Sequence, residues 1–148
     1  MFYQEIADKH IPNLAELYIQ TYNAPPWNDQ WTIPLATQKL DEMINTSNSF
    51  GLVCYGDDNN ILGMIVGVCK TWYSGKEFFV DDFFVIPSRQ GKGIGTLLIK
   101  ELESRLNSKG VDRIYLFTSR GDKTEGYYKK RGYKSWDSLV IMGKYIPK

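Results

Sequence analysis

The sequence predicts one mixed α/β domain spanning residues 1–148, with an antiparallel group of strands in its middle. Two helical patterns come first, and three apolar strand patterns separated by short turns follow them. A glycine-rich loop then leads into a third helix. A doubly wound nucleotide-binding fold would alternate strand and helix from the start, and this order does not.

The first half of the chain carries the patterns of a strand, two helices and the start of the sheet. Apolar residues at helical spacing predict the first helix. Two prolines in the stretch 23–32 predict its end. A run of turn residues at 56–60 separates two apolar strands. The predicted elements are a strand at Phe2–Ile6, a helix from Ile11 to Tyr22, a helix at Leu35–Ile44, and strands at Phe50–Tyr55 and Ile61–Trp72.

The second half completes the sheet. Leucines and isoleucines at helical spacing predict a helix after the glycine loop, and Gly110 is well placed to end it. The predicted elements are a strand at Phe78–Ile86, this helix, a strand at Val111–Thr118, a short helix at Thr124–Arg131, and one or two strands within Trp136–Tyr145.

Composition excludes several classes of function. The 18 basic and 17 acidic residues leave a net charge of +1, whereas a nucleic-acid-binding domain usually has a strong basic excess. No apolar stretch is long enough to span a membrane, and the first residues do not resemble a signal peptide. Cys54 and Cys69 lie in apolar runs and predict free thiols, and one histidine cannot build a histidine metal site. We therefore expect a cytoplasmic protein without a metal.

The stretch SRQGKGIGT, residues 88–96, is the most informative loop. Glycine lets the backbone approach a ligand closely, and the free amides and dipole at the following helix start favour an anion. Arg89 and Lys92 add positive charge. The loop is neither a P-loop nor a dinucleotide fingerprint, because its glycines are spaced by two throughout. It is either a phosphate-binding loop or a plain connection.

The stretch from Val85 to Gly95 resembles the acetyl-CoA motif of the GNAT acyltransferase superfamily, with Gln90, Gly93 and Gly95 at the matching positions. A second segment, GYYKKRGY at 126–133, resembles that family's helix motif. The resemblance implies a mostly antiparallel sheet with helices on both of its faces. It also implies that the strand before the loop is bulged and splayed from the next strand, Val111–Thr118, so that the pantetheine arm of acetyl-CoA can enter the gap. The residues implied to bind this co-substrate are Phe83, Phe84, Val85, Gln90, Gly91, Lys92, Gly93, Ile94, Gly95 and Thr96.

The same resemblance implies a proton donor. Tyr128 matches the family's tyrosine, and a phenol can donate a proton to the leaving thiolate of coenzyme A. The alternative is that Tyr128 is an aromatic core residue of an amphipathic helix.

Two carboxylates lie in the middle of the apolar strand FFVDDFFV, residues 78–85. Such charges are costly to bury unpaired, and strand alternation points Asp81 and Asp82 to opposite faces unless a bulge changes the phase. The stretch resembles Glu-Asp-Phe-Phe-Val of spermidine/spermine acetyltransferases, which implies that Asp81 meets the amine. We expect Asp81 to be the base, directly or through a water, with Asp82 second. A structural salt bridge is the alternative.

The acceptor side is predicted from aromatic and acidic residues near the two first helices. Trp27, Asp29 and Trp31 lie in the loop between those helices, and Trp72 lies beside a hairpin turn. Tryptophan faces and a carboxylate can hold an organic cation, although such tryptophans also pack loops onto a core.

These residues predict an acetyl-CoA-dependent N-acetyltransferase acting on a primary amine of a small molecule. The alternatives are a protein acetyltransferase acting on an N-terminus or a lysine, a non-catalytic acyl-CoA sensor, and a nucleotide-binding protein. A homodimer, in which residues 138–145 of the two subunits pair or pack together, is a further expectation.

Overall fold

Five strands form the sheet, in the order β1-β2-β3-β4-β5. Neighbours from β1 to β4 pair antiparallel, because short turns connect β2 to β3 and β3 to β4. Strands β4 and β5 pair parallel, since a helix crosses over between them. The strands are β1 Phe2–Glu5, β2 Ser49–Tyr55, β3 Ile61–Trp72, β4 Gly75–Val85 and β5 Val111–Tyr115.

Three helices accompany this sheet. Each of the first two has a proline in its first turn, as its second residue. The Oγ1 atom of Thr32 accepts a hydrogen bond of 3.3 Å from the Leu35 amide and so caps the second helix. Strand alternation sends Val53, Met64 and Val66 into the core of these two helices and Leu52 and Ile65 to the opposite face. The helices are α1 Ile11–Tyr22, α2 Ile33–Asn45 and α3 Ile94–Ser108.

The computed structural model describes residues 1–148 and divides them into two compact units, Met1–Phe117 and Thr118–Lys148. The first unit holds the sheet and α1–α3. It confirms the mixed α/β class, with α1 and α2 on one face and the buried leucines of α3 on the other.

The second unit contains one short helix, α4, at Glu125–Lys129. The prediction of strands within Trp136–Tyr145 is wrong, because residues 134–148 contain no strand. Leu139, Val140 and Ile141 are 63%, 79% and 70% exposed. An apolar run favours extended structure, but a strand also needs a neighbour to receive its backbone hydrogen bonds. The sequence pattern alone does not supply that neighbour.

Strand β4 contains a bulge at Asp81. Val66 pairs with Asp82 and the adjacent Gly67 pairs with Val80, so Asp81 is the extra residue on β4. The bulge changes the phase of the alternation. Phe79 lies opposite Val68, and Asp82 lies opposite Val66. Both therefore point to the face of the sheet that α1 and α2 cover.

The parallel pairing of β4 with β5 is short. It runs from Lys76 opposite Val111 to Phe79 opposite Tyr115, where β5 ends. Strand β4 continues to Val85. The two strands are therefore paired at one end only, as the predicted splayed arrangement requires.

His10 links the N-terminal turn to β1 and predicts a pH dependence of stability. Its Nδ1 atom accepts a hydrogen bond of 3.0 Å from the Ala7 amide, and its Nε2 atom lies 3.1 Å from Gln4 Oε1. Both contacts fit the neutral ring. Burial, with a smaller contribution from Lys9, holds the pKa of His10 below its ordinary 6.5.

The sign of the effect follows from that direction. A neutral His10 stabilises the folded state fully above pH 6.5, and this contribution is lost as the pH falls through the lower folded pKa. We expect the free energy of unfolding in urea to fall between pH 7 and pH 5. The His10→Gln variant should show a shallower fall, and an equal fall in both proteins would contradict the prediction.

Candidate active site

The glycine loop joins β4 to α3. A 3-10 turn at Pro87–Arg89 precedes it, and the Gln90 Nε2 atom donates a hydrogen bond of 2.9 Å to the Val85 carbonyl oxygen. This bond ties the loop to the end of β4. Gly91 and Gly93 then adopt left-handed backbone conformations, with φ of 75° and 82°.

The start of α3 is built to approach an anion. Gly93 is its N-cap residue, and no side chain caps the helix. A Cβ atom at Gly91 or Gly93 would meet nothing within 4 Å, so the glycines are required by their φ angles and leave open space in front of the loop. Arg89 and Lys92 are exposed beside it. This geometry fits the pyrophosphate of coenzyme A.

Asp82 lies on the face of the sheet that α1 covers, and its carboxylate accepts three hydrogen bonds. Tyr18 Oη donates a hydrogen bond of 2.7 Å to Asp82 Oδ2, and Tyr22 Oη donates one to Asp82 Oδ1. The Phe83 amide donates a third, of 3.0 Å, to Oδ1. Tyr22 Oη also lies 3.3 Å from the carbonyl oxygen of Phe83. The Tyr22 side chain, which belongs to α1, therefore contacts both the Asp82 carboxylate and the backbone of β4.

Burial changes the pKa values of Asp82 and Tyr18. Burial raises the pKa of Asp82, and the hydrogen bonds from Tyr22 and Tyr18 and the charge of Lys39 oppose that rise. Burial and the Asp82 charge raise the pKa of Tyr18 far above its ordinary value of 10.0. The Tyr18 phenol therefore stays protonated and acts as a donor.

Asp81 lies in a different environment at the bulge. Its side chain is exposed, and the structure records no hydrogen bond to it from another side chain. Partial burial raises its pKa, while the positive charges of Lys39 and Lys70 lower it. The structure thus places one carboxylate in contact with solvent and the next one in a hydrogen-bonded cluster.

The two tryptophans of the loop between α1 and α2 lie in different environments. Trp31 is clamped by Asn23, whose side chain bonds both its amide and its carbonyl at 2.8 and 2.9 Å. Its ring packs edge-on against Tyr18 with centroids 5.1 Å apart, and its Nε1 atom donates to Asp29 at 3.1 Å. These contacts favour a packing role for Trp31 over a role in binding the acceptor. Asp29 is held by its hydrogen bond to the Trp31 ring.

Trp27 remains available to a ligand. Its ring lies 6.0 Å from the ring of Tyr22 and is 47% exposed. Tyr22 in turn contacts Phe84 on β4, with ring centroids 5.8 Å apart. An aromatic surface consequently continues from the exposed Trp27 ring to the hydrogen-bonded Asp82.

Trp72 is not brought together with these residues. It lies six residues along β3 from Val66, the partner of Asp82, which is a separation of roughly 20 Å along the strand. Its ring contacts Tyr73 and lies 5.9 Å from the Arg113 guanidinium carbon. We therefore remove Trp72 from the acceptor site.

The two exposed tryptophans form a matched pair for a test. Trp27→Ala should raise KM for the amine by about 2–30-fold, because a cation–π contact contributes about 0.5–2 kcal/mol. Trp72→Ala removes a ring of similar exposure, 49% against 47%, and should leave this KM unchanged. Steady-state kinetics decides. Equal values of KM for Trp27→Ala and the unmodified protein would favour a packing role.

Tyr128 lies on α4 in the second unit. It is half-buried, and its ring lies 5.2 Å from Tyr127 and 5.7 Å from Tyr133. The Tyr133 amide donates a hydrogen bond of 3.1 Å to the Tyr128 carbonyl oxygen, which closes the turn after the helix. Its role as proton donor stays a prediction.

Sequence reasoning missed Tyr18 and Tyr22 as site residues. In the sequence they are two positions of the pattern that predicts the first helix, four residues apart. A usable signal was present, since two hydroxyls on a buried helix face need polar partners. The sequence does not show that the partner is Asp82, 60 residues away from Tyr22.

Other side chains give no sign of a metal centre or a membrane segment. No group of three histidine, cysteine, aspartate or glutamate side chains is arranged to hold a metal ion. None of the helices combines the length and the apolar character needed to cross a membrane. Cys54 and Cys69 are free, and Cys54 is buried.

Comparison with known proteins identifies the class. Residues 12–133 match the Acetyltransferase (GNAT) family, so the chain belongs to this family and is an acetyltransferase. An acetyltransferase of Sodalis glossinidius is 29% identical over 121 residues, which cover 80% of this chain and 77% of that protein. The match to the family spans both compact units.

Two other comparisons concern acceptors of different kinds. The ribosomal protein bS18-alanine N-acetyltransferase of Haemophilus influenzae is 29% identical over 92 residues, covering 62% of this chain and 58% of that protein. An aminoglycoside acetyltransferase from an uncultured soil sample, solved with sisomicin, shares the fold with a TM-score of 0.74 and 20% identity. That match covers 99% of this chain and 96% of the solved one.

Proposed function

We propose that this acetyltransferase transfers the acetyl group of acetyl-CoA to the primary amine of a small molecule. The observation that carries the proposal is the combination of two features on β4. A glycine loop with an uncapped helix start follows the strand, and a hydrogen-bonded carboxylate lies within the strand beside an exposed aromatic surface. One feature suits the donor and the other suits a cationic acceptor.

The donor is held by the loop and by the strand. The amides from Gln90 to Thr96, with Lys92, bind the pyrophosphate through the left-handed glycines and the start of α3. The backbone of Phe83–Val85 pairs with the pantetheine arm beyond the point where β5 ends. This pairing orients the thioester along β4.

The reaction needs a neutral amine and a protonated leaving group. The ammonium loses one proton to a carboxylate of β4, either Asp82 or, through a water, Asp81. The amine nitrogen then forms a bond to the thioester carbon, and the carbon–sulfur bond breaks. Tyr128 donates a proton to the departing thiolate and recovers one from the nitrogen. The products are the N-acetylated amine and coenzyme A.

A small amine fits the acceptor side better than a folded protein. Trp27 and Tyr22 offer a compact aromatic surface, and Asp82 lies at its inner end. Cation–π and charge contacts select a protonated amine with an apolar flank. A protein N-terminus is the second candidate, and the resemblance to the bS18-alanine N-acetyltransferase supports it.

Calorimetric titration of acetyl-CoA followed by a thiol-release assay tests the proposal. The acceptor panel contains tyramine, spermidine, sisomicin and an alanine-initiated peptide. We expect micromolar binding and coenzyme A release with a small amine. Release with the peptide alone would favour the protein acceptor, and binding without release would indicate a non-catalytic acyl-CoA sensor. Absence of binding would contradict the assignment of the loop.

A further inference from the structure

Tyr22 links the exposed aromatic surface to the half-buried carboxylate of Asp82. We propose that Tyr22 and Asp82 act together as the proton acceptor, with the Tyr22 hydroxyl in direct contact with the amine and Tyr18 holding the carboxylate in place. This inference rests on the proposed function. It assigns to α1 a catalytic residue in addition to the carboxylates of β4.

The position of the Tyr22 hydroxyl carries the inference. It donates to Asp82 Oδ1 and lies 3.3 Å from the carbonyl oxygen of Phe83. Phe83 begins the segment that pairs with the pantetheine arm in the proposed function. An amine that reaches the thioester there passes the ring of Trp27, 6.0 Å from that of Tyr22. The hydroxyl oxygen is then the first proton acceptor that the amine meets.

Tyr18 and Tyr22 both donate a hydrogen bond to Asp82, but they differ in their exposure to solvent. Tyr18 donates to Oδ2 of the same carboxylate at 2.7 Å, but its side chain is only 3% exposed. Tyr22 is half-buried and borders the exposed Trp27. Only Tyr22 can therefore contact a substrate, while Tyr18 fixes the carboxylate from behind.

The proton transfer balances without any further reactant. The ammonium gives a proton to the Tyr22 oxygen as the Tyr22 proton moves to Asp82 Oδ1, leaving a neutral amine and a protonated carboxyl. No electrons change hands and the phenol is never ionised. Burial raises the pKa of Asp82, which favours the protonated product of this step. Asp82 returns the proton to solvent after each turnover.

The charged groups around Asp82 come from several elements. Tyr18 and Tyr22 face it from α1, and the charge of Lys39 reaches it from α2. Asp81 precedes it on β4, and the charge of Asp29 reaches Tyr18. Lys39, Asp81 and Asp29 are the same in the two variants below, so the variants differ only in which phenol hydroxyl is removed.

The test compares Tyr22→Phe with Tyr18→Phe through the pH dependence of kcat for coenzyme A release. Each variant removes one donor from the same carboxylate anion, so both should move the acidic limb to higher pH. Only Tyr22→Phe removes the relay, so its kcat above that limb should fall by about 10²-fold or more. The acetyl-CoA Kd should stay unchanged in both, as a check of folding.

A second variant keeps the inference testable if Tyr22→Phe does not fold. Replacing Tyr22 by 4-fluorophenylalanine keeps the ring and fills the space of the hydroxyl but carries no transferable proton, so kcat should fall as in Tyr22→Phe. Equal kcat for Tyr22→Phe and Tyr18→Phe, or an unchanged kcat with 4-fluorophenylalanine, would overturn this inference alone. No release by the unmodified protein with any amine of the panel would overturn the proposed function as well.

Discussion

Substitution of Asp82 by Asn should lower kcat by about 10²-fold or more, the usual contribution of a general base. The change removes the charge and the proton-accepting oxygen but keeps the shape of the side chain. Its carbonyl oxygen can still accept a hydrogen bond from Tyr22 or Tyr18. The fold should therefore persist, and acetyl-CoA affinity measured by calorimetry should not change.

Asp81→Asn is the matched control for this prediction, because it removes a neighbouring carboxylate of the same strand. Asp81 is exposed at the bulge, so its loss should reduce kcat less than the loss of Asp82. A larger loss in Asp81→Asn would instead identify Asp81 as the base, as its resemblance to the polyamine enzymes implies. Full activity in both variants would give the carboxylates a structural role only.

Substitution of Gly93 by Ala should weaken acetyl-CoA binding by about 10–150-fold. Hydrogen bonds to a charged group contribute about 1.5–3 kcal/mol, and a methyl group in front of the loop separates the amides from the pyrophosphate. The left-handed φ of 82° adds a strain of roughly 1–2 kcal/mol for any residue with a Cβ atom. Calorimetry measures the affinity, and thermal unfolding measures the strain.

Gly110 provides a control with the same backbone geometry. It has the same φ of 82°, and a Cβ atom there also meets nothing within 4 Å. Gly110 follows the C-terminal end of α3, at the other end of that helix from the loop. Gly110→Ala should lower the melting temperature as Gly93→Ala does and leave the acetyl-CoA Kd unchanged. Equal affinities in the two variants would mean that the loop is only a connection.

Several features of the protein follow from the sequence because they depend on local chemistry. Apolar periodicity determines α1 and α3, turn residues at 56–60 determine the β2–β3 hairpin, and glycines at 91 and 93 determine a loop with positive φ. The motif at 85–95 carries the family resemblance, which the match over residues 12–133 confirms. Each of these signals lies within about one element of the chain.

The arrangement of the candidate site depends on contacts between distant segments. The sequence allowed a bulge, but only the register against β3 places it at Asp81 and turns Asp82 and Phe84 towards α1. The partners Tyr18 and Asp82 are 64 residues apart. The apolar run at 139–142 has the composition of a strand and forms none. Strand pairing and side-chain hydrogen bonds need two segments, and only the tertiary structure decides which segments meet.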